Sequence, residues 1–294
     1  MKKIIILGAQ GQLGTELHKT FQNTGDVTAL GRDACDLSNP ATIRSAIQKY
    51  RPNVILNAAA YTAVDRAESE PELAMRINGD APGVLAEEAK KSNTLLIHYS
   101  TDYVFDGSKR DPWNEDDPIR PLNQYGLTKM AGERNIEQIG GRFLIFRTSW
   151  VFSPYGHNFL RTMLRVGQER KELRVVNDQK GAPTSALALA TATHRILSDC
   201  AEHNLDQLTG IYHMTCGGET TWCGFAEAIF AKARASKPWA LIVGIPSSQY
   251  PTPATRPVNS ILSNKKLKAA FDVALPSWES ALDVALRALN VWKN

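Results

Sequence analysis

The sequence predicts an α/β protein built on a doubly wound parallel sheet, with a smaller domain on its C-terminal side. Three observations predict it. Apolar runs of strand length alternate with helical patterns through the first half of the chain. A glycine-rich turn follows the first strand directly and opens a helical pattern. Beyond residue 150 the alternation gives way to segments punctuated by proline and glycine.

Residues 3–7 are apolar and β-branched, and predict the first strand. A helix over 12–21, a strand over 27–30, a helix over 41–50 and a strand over 54–57 follow. A long helical pattern covers 72–91, then come a strand at 94–99, a helix at 124–137 and a strand at 143–146. Each strand–helix–strand step needs a crossover, which gives a parallel sheet with helices on both faces. Further helical patterns recur at 158–170, 186–200, 222–235 and 278–289, among Pro154, Gly181, Pro183, Gly217-Gly218, Pro246, Pro251, Pro253 and Pro257. The expected division is a sheet domain over 1–150, rejoined by segments near 184–215, and a smaller domain over 151–294 packed at the carboxyl ends of the strands. Doubly wound sheets bind their ligands at that edge.

Composition excludes several classes. A chain of 294 residues with 43% hydrophobic and 22% charged residues has ample core and is not disordered. No apolar run approaches the ~18 residues of a membrane span. Met1-Lys2-Lys3 runs straight into the first strand and then glycines, so the expectation is a cytoplasmic protein without an export signal. The net charge of +4 is spread along the chain, and the basic stretch 161–174 carries Glu169 and Glu172, which suits a solvated helix face and not a nucleic-acid surface. Cys35, Cys200, Cys216 and Cys223 form no CxxC pair and lack histidines at zinc-ligand spacing, so they read as reduced, buried thiols, and no metal site is expected. His98 lies on an apolar strand and reads as a core group.

The turn Gly8-Ala9-Gln10-Gly11-Gln12-Leu13-Gly14 has the spacing GxxGxxG. Its glycines allow a tight corner and let the backbone approach a pyrophosphate at the helix N-terminus, which points to a dinucleotide. The second strand ends in Leu30-Gly31-Arg32-Asp33, where such a sheet meets the adenosine ribose. Arg32 favours a 2′-phosphate and Asp33 a free hydroxyl, so NADPH is expected, with NADH tolerated.

Tyr125-Gly126-Leu127-Thr128-Lys129 places a phenol and an ammonium four residues apart on one helix face. A nearby cation favours the tyrosinate, and a shift of three units corresponds to about 4 kcal/mol. The pair follows a strand that ends in Ser100-Thr101, whose hydroxyls can share a carbonyl with the phenol. Glycine turn, hydroxyl-ended strand and YxxxK come in the order a hydride-transfer site needs.

On these motifs the chain resembles the extended short-chain dehydrogenase/reductases, and within them the reductases of 4-keto sugar nucleotides. The likeness covers nearly the whole length. It rests on the glycine turn, on Asn57-Ala58-Ala59-Ala60-Tyr61-Thr62-Ala63-Val64-Asp65 and on Glu68-Ser69-Glu70-Pro71. It continues through His98-Tyr99-Ser100-Thr101-Asp102-Tyr103-Val104-Phe105, Pro121-Leu122-Asn123-Gln124-Tyr125-Gly126, Phe146-Arg147-Thr148-Ser149-Trp150-Val151, Gly181-Ala182-Pro183-Thr184 and Tyr250-Pro251-Thr252-Pro253-Ala254.

The resemblance implies a Rossmann-like sheet and reduction of the C4 keto group of a dTDP sugar, dTDP-4-dehydro-β-L-rhamnose. By that likeness Tyr125 donates the proton, Lys129 lowers its pKa and holds the nicotinamide ribose, and Thr101 hydrogen-bonds the carbonyl. The implied cofactor contacts are Gly8, Gly11, Gln12, Leu13, Gly14, Arg32, Asp36, Leu37, Ala60, Tyr61 and Thr62, with Tyr125 and Lys129. The implied substrate contacts are Thr101, Asp102 and Trp150, with Asn158 and Arg256 at the diphosphate. Some relatives dimerise through a magnesium ion held by glutamates. Glu16 matches the first, but Leu187 stands at the second and cannot ligate a cation, so the metal is not carried over and the chain is read as monomer or homodimer.

Three alternatives stand beside this reading. A 4,6-dehydratase needs an Asp-Glu pair after the threonine, and here Asp102 is followed by Tyr103. A related 4-keto sugar-nucleotide reductase or epimerase shares the same chemistry. A non-catalytic regulatory subunit, like that of methionine adenosyltransferase, would not need Thr101, Tyr125 and Lys129 together.

Overall fold

In the computed structural model, which describes residues 2–199, 205 and 207–293, β1 (Lys3–Leu7) lies between β2 (Asp26–Leu30) and β3 (Val54–Asn57), parallel to both. The sheet continues outward from β3 through β4 (Leu95–Thr101), β5 (Phe143–Thr148) and β6 (Gly210–His213), every pairing parallel. Among the described residues it has six strands in the order β6-β5-β4-β3-β1-β2. The chain reverses direction across the sheet between β1 and β3, so the loops leaving these two strands part and open a crevice at their carboxyl ends.

The strand alternation divides the core in two. Ile4, Ile6, Leu56, Ile97 and Phe146 face α1 (Gln12–Phe21), through Leu13, Leu17 and Phe21, and also meet Leu189 and Leu267. Ile5, Leu7, Ile55, Leu96 and Ile145 face the opposite way, onto Ile43 of α2 (Pro40–Tyr50) and Leu85 of α3 (Ala81–Lys91). Period-two alternation with both faces apolar is what a sheet covered by helices on each side requires. Each such side chain contributes about 1.5–3 kcal/mol on full burial.

Two differences from the sequence expectation bear on the site. Strands β4 and β5 run two residues beyond their apolar stretches, ending in register at Ser100↔Arg147 and Thr101↔Thr148. Ladder hydrogen bonds continue where hydrophobicity stops, and they carry Thr101 to the sheet edge. The helix expected over 72–91 is also not uniform. Pro71–Met75 passes into a π turn, Arg76–Asp80, before α3 begins. Pro82 has no N–H to donate to the Asn78 carbonyl one turn back, and a Cβ on Gly132 would stand 2.1 Å from that carbonyl oxygen. The wider turn is the local answer to a missing donor.

The helix α4 (Gln124–Ile139) packs beside α3 on that same face. Beyond residue 150, a second core gathers Leu160 and Met163 of α5 (Phe159–Glu169) with Leu173, Val175, Phe225, Ile229 and Leu282. It rests on the parallel strands Glu172–Val176 and Leu241–Ile245 and on the helices Trp222–Lys232 and Trp278–Ala288. The chain then leaves that layer and returns. Helix α6 (Ala186–Asp199) lies against α1, and β6 and the helix Lys265–Phe271 join the sheet layer. The predicted end of α6 at Cys200 lies outside the described residues, as does His203. Cys35, Cys216 and Cys223 are free and buried. No helix among the described residues is long and apolar enough to cross a membrane.

Candidate active site

The glycine turn closes tightly. Gly8 has φ +78, and a Cβ there would lie 2.8 Å from the Ala59 backbone, in the segment leaving β3. A Cβ on Gly14 would lie 2.0 Å from the Gly8 carbonyl. Helix α1 starts from Gly11 with no side-chain cap, so the turn presents main-chain N–H groups and a helix N-terminus. Side chains are excluded from this cradle, which suits a phosphate-bearing dinucleotide lying on the backbone. Leu13 faces down into the core, leaving its main chain toward the cradle, and Gln12 reaches across to the second layer.

At the end of β2, Arg32 is 70% exposed, its Nε 3.7 Å from the Asp36 carboxylate. Asp36 accepts from the N–H and hydroxyl of Ser38 at 2.9 and 2.8 Å, and these bonds hold its carboxyl below the usual range. Asn39 caps α2 by accepting from Ala41 N–H, and Leu37 is buried in the core. Asp33 is exposed.

Ala60, Tyr61 and Thr62 leave β3 beside the cradle. Asn78, in the π turn, pins this segment: its Oδ1 accepts from Tyr61 N–H at 2.8 Å and its Nδ2 donates to Tyr61 O at 3.0 Å. The same amide reaches Thr128 Oγ1 at 3.2 Å, tying the segment to α4. Sequence reasoning missed Asn78. The available signal was an asparagine inside an apolar helical pattern, four residues ahead of Pro82.

Helix α4 begins where Asn123 accepts from Gly126 N–H at 2.8 Å, and Asn123 also donates to the Thr255 carbonyl. This puts Tyr125 in the first turn. Gly126 lets the helix lie on the Tyr103 carbonyl, where a Cβ would come within 2.3 Å. The Tyr125 hydroxyl lies beside Thr101, and its ring meets Tyr103 edge-on at 5.5 Å. Burial pushes the hydroxyl up to about 12, opposed by Thr101 and reinforced by the Asp102 charge. Asp102 itself is 2% exposed, and its Oδ1 accepts from the Thr101 hydroxyl at 3.1 Å.

Lys129 lies one turn further along α4 and is 1% exposed. Its ammonium donates to the Tyr99 carbonyl at 2.7 Å and to His98 Nε2 at 3.0 Å, and burial pulls it down to about 8. The other ring nitrogen of His98 lies 3.0 Å from the Asn57 amide, and burial with the Lys129 charge keeps His98 neutral. His98 is therefore more than core filling: it is a support for the buried lysine. The groups that bear on the Tyr125 proton are burial, Thr101 and Asp102, while the lysine charge is directed to Tyr99 and His98.

Across the crevice, Trp150 has φ +47 and stacks on Trp222 with ring centroids 3.6 Å apart. Gly181 makes room for this, since a Cβ there would stand 2.4 Å from the indole. A cavity of about 300 Å³ opens beside the stack, lined by Phe159, Met163, Arg174, Trp222, Tyr250 and Arg256. Arg256 is held by Asp65 at 2.9 Å, so it bridges the two layers. Asn158, expected at a diphosphate, also has bonds within the protein. It caps α5 by accepting from Arg161 N–H, and its amide donates to Gln12, Ser153 O and Tyr155 O. Glu16 and Leu187 line a separate cleft on the far side of α1.

The chain matches the model of the RmlD substrate binding domain over residues 1–291. It is 48% identical to a dTDP-4-dehydrorhamnose reductase of Burkholderia thailandensis, covering 98% of this chain and 99% of the relative. It is 44% identical to the enzyme of that name from Salmonella typhimurium, covering 94% of each. A crystal structure of dTDP-4-dehydrorhamnose reductase from Bacillus anthracis in complex with NADP superposes with a TM-score of 0.90 at 32% identity, covering 98% of this chain and 99% of that one. A UDP-glucose 4-epimerase from Thermus thermophilus, at 18% identity and a TM-score of 0.78, shares the fold.

Proposed function

The chain belongs to the RmlD substrate binding domain family, and on that premise we propose how its site works. The protein is an NADPH-dependent reductase of dTDP-4-dehydrorhamnose. NADPH supplies the hydride, and the chain supplies position, charge and a proton. The Gly8, Gly11, Gln12, Leu13 and Gly14 turn cradles the pyrophosphate on main-chain N–H groups. Arg32, exposed at the end of β2, meets the 2′-phosphate. Asp36 and Leu37 border the adenine side, and Ala60, Tyr61 and Thr62 border the crevice.

The observation that carries the reaction is the Thr101–Tyr125 pair brought together at the carboxyl end of β4. With its hydroxyl held up to about 12, Tyr125 is protonated at neutral pH, which is the form a donor needs during reduction. As hydride reaches C4 of the sugar, negative charge grows on the C4 oxygen. Thr101 and Tyr125 hold that oxygen and Tyr125 releases its proton to it, a contribution of roughly 10²–10⁴ in rate. Lys129, one turn along α4 from Tyr125, is fixed by the Tyr99 carbonyl and His98. The cavity lined by Arg174 and Arg256 receives the diphosphate end of the substrate, and Trp150, braced by Trp222, covers the sugar.

The test is NADPH oxidation by purified protein with a panel of dTDP- and UDP-linked 4-keto sugars. Turnover should need the 4-keto sugar nucleotide, and Tyr125→Phe should keep NADPH affinity while losing most of the rate. Turnover near wild type in Tyr125→Phe would remove the tyrosine from the mechanism.

A further inference from the structure

A polar atom buried without a partner costs stability, so folded proteins keep few of them. Among the described residues, five buried side-chain atoms have no hydrogen-bond partner within the protein. Two of them, His213 Nε2 and Trp278 Nε1, lie among aromatic rings, beside Phe105 and Phe225. The other three, Ser100 Oγ, Asp102 Oδ2 and Thr148 Oγ1, gather at the carboxyl ends of β4 and β5. Asp102 is already expected at the sugar. Ser100 shares the strand face of His98, the side of Lys129 and α4. That leaves the Thr148 hydroxyl, which has no role so far.

Thr148 is the register partner of Thr101, and partners in a parallel ladder send their side chains to the same face. The two residues therefore stand in one row along the sheet edge, on neighbouring strands. Thr101 is 4% exposed and Thr148 7%, so Thr148 is no more shielded than the residue that serves the C4 oxygen. Other hydroxyls nearby are spent inside the protein: Ser149 and Thr184 each donate to the Ala182 carbonyl at 3.0 Å. Thr148 keeps its hydrogen and both lone pairs.

The strand order says which ligand meets it. In the sheet β6-β5-β4-β3-β1-β2, the glycine cradle leaves β1 and Arg32 stands at the end of β2. A dinucleotide with its adenosine at β2 and its pyrophosphate on the cradle extends its other half over β3 and β4, toward β5. Its reactive carbon has to reach the carbonyl held at Thr101, and the carboxamide sits on the adjacent ring carbon. The sugar comes from the second layer, past the Trp150–Trp222 stack and Arg256. A hydroxyl set in the strand itself is on the cofactor's side. A carboxamide offers both an N–H to give and a carbonyl to accept, so it suits an unspent hydroxyl in either direction.

We propose that the Thr148 hydroxyl binds the nicotinamide carboxamide of NADPH and anchors the ring beside Thr101. This rests on NADPH being the cofactor.

Equilibrium titration with NADPH and melts of the ligand-free protein test it on Thr148→Val, which keeps the shape and removes the hydroxyl. The NADPH Kd should rise about tenfold, with the sugar-nucleotide KM unchanged. The ligand-free Tm should rise by about 2–4 °C, because an unpaired hydroxyl has left the interior. Thr148→Ser should keep wild-type affinity. Two altered cofactors locate the contact: the reduced 3-acetylpyridine analogue lacks the carboxamide N–H, and the thionicotinamide analogue has a weaker acceptor. At least one should bind wild type about tenfold more weakly than NADPH, and that penalty should disappear in Thr148→Val. Unchanged NADPH affinity in Thr148→Val would overturn the proposal, and so would analogue penalties equal in both proteins. A raised sugar-nucleotide KM with NADPH affinity intact would give the hydroxyl to the substrate instead. A lower ligand-free Tm would mean a partner inside the protein, and sinks the proposal too. Wild-type protein that binds no NADPH would sink the cofactor reading beneath it.

Discussion

Gly126→Ala sets two effects of opposite sign against each other inside α4. In a free helix, alanine is favoured over glycine by about 1 kcal/mol. Here the added Cβ would stand 2.3 Å from the Tyr103 carbonyl oxygen and 2.9 Å from Pro121 Cβ, against ordinary contact at 3.4 Å or more. The obstacle is a backbone carbonyl beside the 3-10 turn Asp102–Val104, so it cannot swing aside. The helix start must back away by about 1 Å, and overpacking of this kind costs about 1–3 kcal/mol. The clash therefore outweighs the propensity gain, for a net loss of up to about 2 kcal/mol and a Tm lower by up to some 8 °C. Tyr125 moves with the helix, and a 1 Å misplacement of a catalytic group lowers rate by roughly 10²-fold. Gly83→Ala is the control. Its Cβ would meet only the Asn135 side chain, at 3.3 Å, so the propensity gain should prevail, with kcat unchanged. Thermal melts and steady-state kinetics on both variants check this. A Gly126→Ala protein with wild-type kcat and a raised Tm would refute the placement of α4 against Tyr103.

Arg32→Ala should raise the NADPH KM roughly tenfold, as loss of one exposed charge-assisted contact implies, and leave the NADH KM nearly unchanged; equal effects on both cofactors would take Arg32 out of the 2′-phosphate site. Gly181→Ala should push Trp150 off Trp222 and raise the sugar-nucleotide KM, with NADPH affinity preserved by direct titration. Asp102 also predicts a pH dependence of stability. Its carboxyl sits at about 7 when folded and near 4 when unfolded, so the folded state keeps a proton that the unfolded chain has lost. Its contribution is full below about pH 4 and lost as pH rises to 7, a span worth about 4 kcal/mol. Denaturant melts of the neutral isostere Asp102→Asn should therefore gain on wild type between about pH 4 and 7, and a constant difference across that range would contradict the buried, protonated carboxyl.

The parts of this architecture readable from sequence are those governed by local periodicity. β1, α1, β3 and α4 announce themselves through apolar spacing and an asparagine or glycine at the helix start. The strand end at Thr148 did not, because the ladder there holds polar residues whose neighbours are distant in sequence. Nor did β6, four residues whose place is fixed by pairing with β5, or the parallel pair Glu172–Val176 and Leu241–Ile245. In the site, Tyr125, Lys129 and the glycine turn were legible as spacings. Asn78, His98 and Trp222 were not, because each acts through a partner brought close only by the fold: Tyr61, Lys129 and Trp150 respectively. Asn158 is a further case. Its cap on α5 and its bond to Gln12 were not legible, since both depend on contacts made by the fold.

The segment from Ala254 to Leu262 sews the two layers together. Ala254 and Arg256 bond Asp65, Thr255 accepts from Asn123, Asn259 donates to the carbonyls of Lys109 and Asp111, and Trp113 bridges to Leu262. With α6 and β6 crossing the other way, each layer contains pieces that belong, in sequence, to its neighbour. Such interlacing makes unfolding a single cooperative event, since neither layer can melt without stripping helices or hydrogen bonds from the other. It also means that substrate preference in this scaffold cannot be exchanged as a module. It must change residue by residue, with the sheet intact beneath it.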